Sequence, residues 1–469
     1  MLGPEVLDLP VTELSTRVRA RTLSPVALTE GYLARMERVA PRLNCFVTVT
    51  AELARDQARR AEADLAAGRW RGPLHGIPYA LKDVFDTKNV RTTFGARPYA
   101  RRIPDRDATA VTRLREAGAI LVGKTSLIEL AGALGVTWAT SSVNGACRTP
   151  WDISRWAGGS SSGSAAAVAA GLVGFALGTE TIGSLLCPAA FCGVTGLRPT
   201  YGLVSRHGVM PYAPTGDKVG AMARSAADCG LVLAALAASD PLDASSLPTT
   251  PQPSARLPRL PAGLRVAALD VPRDYPIHPS VPVFYEEALG TLRAAGMKVE
   301  RAELPDLPWQ AVAEVVFTAE ALVSFEQLVK SGRTKELSDP LHQAHGRELY
   351  RFDALATDYV KAQAVRGVMQ REMARFFDRH DLIVAPNSPI LPPPVDDPLP
   401  AVGGGVMRFA GNLVGFPSVA VPIGFVEPGR LPVSLEIAGP PLADARVLAA
   451  AAALQARTRW HLARPPEPA

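Results

Sequence analysis

The chain has no strong excess of charge: across 469 residues, 50 Lys and Arg stand against 45 Asp and Glu, a formal balance of +5. Aromatics make up only 6% and interleave with no basic run, so direct nucleic-acid binding is not expected. The five cysteines (Cys45, Cys147, Cys187, Cys192 and Cys229) are odd in number and scattered, and the seven histidines form no HExxH pair. A disulfide framework and a zinc site are therefore disfavoured, no cofactor is implied, and a reducing cytoplasm fits. The opening MLGPEVLDLPVTEL lacks a basic stretch followed by an apolar core, so no signal peptide is expected.

Charge is scarcest between Ala157 and Leu197, where Glu180 is the only ionisable acid or base of the Asp, Glu, Lys or Arg type. The segment GSAAAVAAGLVGFALG is apolar but shorter than the roughly 20 residues of a membrane span, and is rich in Gly, Ala and Ser. Burial in a globular core is expected instead.

What is present is a helix-to-strand alternation. TAELARDQARRAEADLAAG (50–68) and ATAVTRLREAGA (108–119) have helical composition and spacing, each with a glycine stop, and the first 70 or so residues read as helices. GPLHGIPYALKDVFD suits a buried strand and turn, and AILVGK (119–124), RVAALD (265–270), DLIVAP (381–386) and SVAVPIGF (418–425) read as apolar strands. SAADCGLVLAALAA, SVPVFYEEALGTLRAAG and ADARVLAAAAALQART read as helices between and after them. Such alternation marks an α/β architecture. PLDASSLPTTPQPSARLPRLPAG (241–263), rich in Pro and Ser, reads as a surface linker.

Two small-residue loops carry candidate chemistry: Gly158-Gly159-Ser160-Ser161-Ser162-Gly163-Ser164 and Gly178-Thr179-Glu180-Thr181-Ile182-Gly183-Ser184. Glycines let backbone N–H groups approach a ligand, which a tetrahedral oxyanion requires. Three readings compete. Gly159 to Gly163 matches G-x-S-x-G, which would make Ser161 a nucleophile, but DISRWAG before it is a poor strand and only His380 and His461 are late histidines. A phosphate-cradling loop lacks its Gly-Lys-Ser/Thr. A flexible turn without chemistry is the third.

The segment 158–199, GGSSSGSAAAVAAGLVGFALGTETIGSLLCPAAFCGVTGLRPT with its closing threonine at 200, resembles the signature of the amidase signature family. The resemblance continues in order through HGIPYALKDVFDT (75–87), DATAVTRLREAGAILVGKT (107–125), TYGLVSRHGVMP (200–211), DKVGAMARSAADC (217–229), DYVKAQAVR (358–366) and NLVGFPSVAVPIGF (412–425). It implies a single α/β/α domain with a large mixed β-sheet covered by helices on both faces, with residues 1–60 as a helical segment packed on a catalytic domain of 61–469. It implies Ser184 as nucleophile, Ser160 as bridging serine after a cis peptide, and Lys82 as base. The backbone of Thr181, Ile182, Gly183 and Ser184 would form the oxyanion hole. Ser161, Ser162 and Thr179 would orient the relay or cap the following helix, while Arg198 and Asp217 bind structure together.

A lysine serves as a base only when neutral, so burial must depress its pKa. Lys82 lies among Tyr79, Ala80, Leu81, Val84 and Phe85, an apolar setting. The bland alternative is a surface lysine paired with Asp83 or Asp86. The sequence departs from the family at Ile182 in place of a glycine, Leu186 in place of a common arginine, and Thr149 in place of an asparagine. The expected activity is hydrolysis of a small or apolar carboxylic amide to carboxylate plus ammonia or amine through a Ser184 acyl-enzyme. The alternatives are the glutaminase component of a tRNA-dependent amidotransferase, or an esterase or aryl acylamidase on the same fold. A small-molecule amide is the expected partner, with no metal, no nucleic acid and no membrane span; a homodimer is compatible.

Overall fold

The apolar runs expected to be strands assemble into one sheet. The structure, a computed structural model, describes residues 2–248, 256–273, 275–345, 355–400 and 405–466. Within it, eleven strands form a single mixed sheet: β1 (Phe46–Val49), β2 (Pro78–Lys82), β3 (Ile120–Thr125), β4 (Phe175–Glu180), β5 (Thr195–Arg198), β6 (Lys218–Ala223), β7 (Arg265–Ala268), β8 (Lys298–Arg301), β9 (Leu382–Pro386), β10 (Ser418–Val426) and β11 (Leu431–Ala438). Their order across the sheet is β1-β3-β2-β4-β6-β5-β10-β11-β9-β7-β8. β3, β2 and β4 run parallel to one another, as do β9, β7 and β8, and the central strands pair antiparallel.

Alternation along each strand divides the core into two layers. Tyr79 and Leu81 of β2, Leu121 of β3, and Phe175 and Leu177 of β4 face one apolar cluster. Ala80, Ile120, Val122 and Ala176 face the other. Helices Ala226–Leu236, Ser280–Ala294 and Asp444–Gln455 contribute to the first layer, and helices Pro25–Leu43, Ala51–Ala66 and Ser162–Ala169 to the second. The sheet thus lies between helices on both faces. The N-terminal residues Leu7, Val11, Leu14 and Val18 share the first cluster with the sheet, and the helix Ala51–Ala66 runs through residue 60.

Three segments differ from expectation. The helical reading of the first 70 residues missed β1, a four-residue edge strand antiparallel to β3. Asp152–Trp156, read as a poor strand, pairs with Arg148–Thr149 in a separate two-stranded ladder. β11 was not read as a strand although Val433-Ser434-Leu435-Glu436-Ile437 alternates; its intervening Ser434 and Glu436 are buried as well. Residues 249–255 of the Pro- and Ser-rich stretch lie outside the described residues.

The uncharged segment is split between a helix and a strand. All eight residues of helix Ser162–Ala169 are buried, and it leads into β4. Among the described residues no helix is long and apolar enough to cross a membrane. Gly163 lets this helix approach β3: an added side-chain carbon would collide with the Cys45 carbonyl and the Ser126 amide.

Successive residues of β2 and its exit turn point in different directions, which decides the fate of two buried lysines. Asp83 pairs with Lys124 of β3 at 3.2 Å, and accepts from the Thr93 amide and hydroxyl at 2.8 and 2.5 Å. Lys124 also donates to the Phe85 carbonyl and the Thr92 hydroxyl, both at 2.7 Å. Removing one partner of a buried pair leaves an uncompensated charge. Asp83→Ala is therefore expected to cost about 3–5 kcal/mol, measured by urea unfolding; a loss below about 1 kcal/mol, the range of an exposed pair, would contradict this account.

Candidate active site

β2 and β4 are parallel neighbours, with Leu81 opposite Leu177, so Lys82 and Thr179 both emerge at the carboxyl end of the sheet. The Lys82 side chain is fully buried. Its Nζ lies 2.7 Å from Ser160 Oγ and 2.9 Å from Thr179 Oγ1. Neither carboxylate of the bland alternative reaches it, since Asp83 is taken by Lys124 and Asp86 by Arg102 at 2.6 and 2.7 Å. Burial pulls the Lys82 amine down to about 7, against a smaller opposing pull from Asp217 and Glu180. A neutral amine beside a serine hydroxyl can accept its proton.

Ser160 stands on the first small-residue loop, after a cis Gly159–Ser160 peptide. Its carbonyl accepts from the Ile128 amide at 3.2 Å. The next residue ties this loop to the second, because the Ser161 amide donates to the Ser184 carbonyl at 3.2 Å. Ser184 is 8% exposed, and its hydroxyl makes no hydrogen bond among the described residues. The link from Lys82 to Ser160 is thus closed, while that from Ser160 to Ser184 is open. Catalytic hydrogen bonds in resting enzymes often close only when substrate arrives.

The backbone of the second loop has donors to spare. The N–H groups of Thr181, Ile182, Gly183 and Ser184 meet no backbone acceptor among the described residues. The left-handed turn that aims such a run falls on Gly183, with φ of 81°, and Ile182 is not among the residues of positive φ. The β-branched side chain is therefore tolerated, and it packs against the cluster of Val316, Phe317, Met369 and Leu413.

Of the three auxiliary hydroxyls, one touches Lys82 and a second touches the backbone of the residue that does so. Thr179 touches Lys82 directly. Ser161 exchanges hydrogen bonds with the Thr179 backbone at 3.2 and 3.3 Å. Ser162 begins the following helix without a side-chain hydrogen bond, and Ser161 makes no side-chain cap there. The G-x-S-x-G alternative finds no histidine beside Ser161: His380 meets the Phe376 carbonyl at 3.1 Å and Glu300 at 3.2 Å.

Glu180 was not read from sequence as part of the site, yet it anchors the loop that carries Ser184. One carboxylate oxygen accepts from the Leu185 and Leu186 amides at 2.9 and 3.1 Å. The other accepts from Arg198 at 2.7 Å and Asn412 at 3.0 Å. Burial alone would raise its pKa, but Arg198 and these donors hold it below the usual range. Arg198 is held in turn by the Ser418 hydroxyl at 2.6 Å. On the loop's other side, Asp217 accepts from the Thr181 hydroxyl at 2.5 Å and the Tyr212 amide at 2.8 Å. The available signal was that a lone acid in an uncharged buried stretch requires a partner.

Residues 27–448 match the Amidase family. The chain is 36% identical to a glutamyl-tRNA(Gln) amidotransferase subunit from Geobacter sp. (strain M21), covering 98% of this chain and 100% of the relative. It is 37% identical to the protein of the same name from Moorella thermoacetica, over 98% and 99%. Among solved structures, native peptide amidase from Stenotrophomonas maltophilia superposes with a TM-score of 0.82 at 33% identity, covering 98% of both chains. A protein of a vestigial complex tied to the evolutionary origins of an s-triazine catabolic enzyme gives 0.87 at 29%, over 98% and 100%.

The Lys82 environment sets the pH dependence. Only the neutral amine acts as a base, so kcat/KM is expected to rise with pH through an apparent pKa near 7 and to level off above it. Lys82→Arg, which stays protonated, is expected to lose about 10²–10⁴-fold. A flat profile through neutrality, or an active Lys82→Arg protein, would contradict the assignment.

Proposed function

The chain belongs to the amidase signature family, and on that premise we propose that it cleaves a carboxamide through an acyl-enzyme on Ser184. The observation that carries this reading is the contact of a buried Lys82 amine with Ser160 Oγ at 2.7 Å, one backbone hydrogen bond away from Ser184. Lys82 accepts the Ser160 proton as Ser160 takes that of Ser184, and Ser184 Oγ bonds to the amide carbon. The negative oxygen is met by N–H groups of the Thr181–Ser184 loop. As the tetrahedral centre collapses the C–N bond breaks, and Ser160 returns a proton to the departing nitrogen. Water then attacks the Ser184 ester, giving its proton to the relay; the Ser184 Oγ–acyl bond breaks and the relay returns a proton to Ser184 Oγ. The sum is amide plus water to carboxylate plus ammonia, or amine for a substituted amide.

Of the two roles open to such an enzyme, the ammonia-releasing component of a tRNA-dependent amidotransferase has the better support. Relatives matched over essentially their whole length are named as one of the subunits of glutamyl-tRNA(Gln) amidotransferase, and in this role the partners are protein subunits. A free-standing amidase for small apolar amides is the second reading. It is favoured by Ile182 and the buried Leu185 and Leu186 beside the nucleophile, and by the peptide amidase among the structural neighbours.

A fluorophosphonate is expected to label Ser184, and Ser184→Ala to abolish both labelling and ammonia release. Persistent labelling of that variant would exclude Ser184 as nucleophile. Ammonia release from glutamine, stimulated by amidotransferase partner proteins, supports the first role; rapid turnover of butanamide or benzamide with glutamine untouched supports the second.

A further inference from the structure

Arg408 opens the short helix Arg408–Val414 and reaches back to the nucleophile loop. A side-chain carbon placed on Gly183 would lie 3.6 Å from Arg408 Cδ and 3.8 Å from its Cγ. The arginine stem therefore lies over the residue that precedes the nucleophile. Its guanidinium sits 4.4 Å from the centre of the Phe409 ring, which gives it a flat support.

That guanidinium has no hydrogen bond and no ion pair among the described residues. The groups that influence it electrostatically are Tyr275, Cys187 and Glu314; none forms an ion pair with it, and Glu314 is exposed and accepts instead from Gln310. Other buried arginines have charged or hydrogen-bonding partners. Arg198 is paired with Glu180, Arg224 with Asp8, and Arg366 donates to Thr215 and the Leu413 carbonyl. Burial lowers the Arg408 pKa, the mark of a cation partly stripped of water. A partly desolvated charge without a partner is costly to keep, and beside a nucleophile it is placed to meet an anion on the substrate.

We infer that Arg408 is a specificity residue, seating a carboxylate carried by the acyl portion of the substrate beside Gly183. This rests on the proposed Ser184 chemistry and deepens it. Ser160 delivers the proton to the departing nitrogen, so the leaving group faces Ser160. When the leaving group is ammonia, a substrate carboxylate can reside only in the acyl portion. The substrate class is then an amide whose acyl chain bears a carboxylate. The guanidinium fork suits bidentate contact with it.

The test compares kcat/KM for succinamate and glutaramate with that for the uncharged butanamide and pentanamide. Wild-type protein is expected to favour the anionic amides by roughly 10- to 150-fold, the range for a hydrogen bond to a charged group. Arg408→Met is expected to collapse that ratio, mainly through KM for the anionic pair, while Arg408→Lys keeps part of it. A circular-dichroism melt establishes that each variant is folded, and the lysine variant carries the test if the methionine variant is not. A wild-type enzyme indifferent to the carboxylate, or a ratio unmoved by both substitutions, overturns the inference. The two failures are separable. Hydrolysis surviving in Ser184→Ala sinks the underlying chemistry, whereas Ser184-dependent hydrolysis with an Arg408-independent ratio sinks this inference alone.

Discussion

A lysine amine enclosed at the end of a parallel strand, touching two hydroxyls and with its pKa drawn down by burial, is the constraint on which the site depends. Moving Lys82 from water into this enclosure brings its pKa to about 7, a penalty against the charged form on the order of 5 kcal/mol. The fold does not relieve it with a carboxylate. Asp83, the next residue along the chain, is turned away and engaged by Lys124. Two buried lysines on adjacent strands thus differ in their partners: Lys124 has a carboxylate counter-ion, while among the described residues Lys82 hydrogen-bonds only to hydroxyls.

The Thr181–Ser184 loop, proposed to carry the nucleophile, needs a complementary arrangement. Its N–H groups must remain unpaired and aimed together, which a loose glycine-rich segment would not sustain. Glu180 and Asp217 grip the loop from either side, through the Leu185 and Leu186 amides and the Thr181 hydroxyl. Arg198 balances Glu180 in a space closed to water, and Glu436 nearby is raised to about 7 by burial and by Glu180, against the pull of Arg198. The carboxylates of Glu180 and Asp217 thus hold backbone in place, and neither is hydrogen-bonded to Lys82, Ser160 or Ser184 side chains among the described residues.

Much of this was legible in the chain. Apolar runs located β2, β3, β7, β9 and β10 among the eleven strands, glycine stops helped to place helices, and the ordered small-residue loops located the serines. β1 was too short among helices to be read, while β11 was missed although Val433-Ser434-Leu435-Glu436-Ile437 carries the alternation of a strand. Resemblance supplied the pairing of Lys82 with Ser160, since 78 residues separate them and composition alone favoured a surface ion pair. The role of Glu180 was available as a physical signal, a lone acid in a buried uncharged stretch. Arg408 had no such signal, because only the folded chain brings it to Gly183.

The most direct measurement is the titration of Lys82 itself, followed by nuclear magnetic resonance of the lysine side-chain carbons and nitrogens in isotopically labelled protein, with Lys82→Met to assign the signal. A lysine that titrates near 7 is the predicted result. A Lys82 signal that titrates above about 10, as a solvated lysine does, would contradict the account.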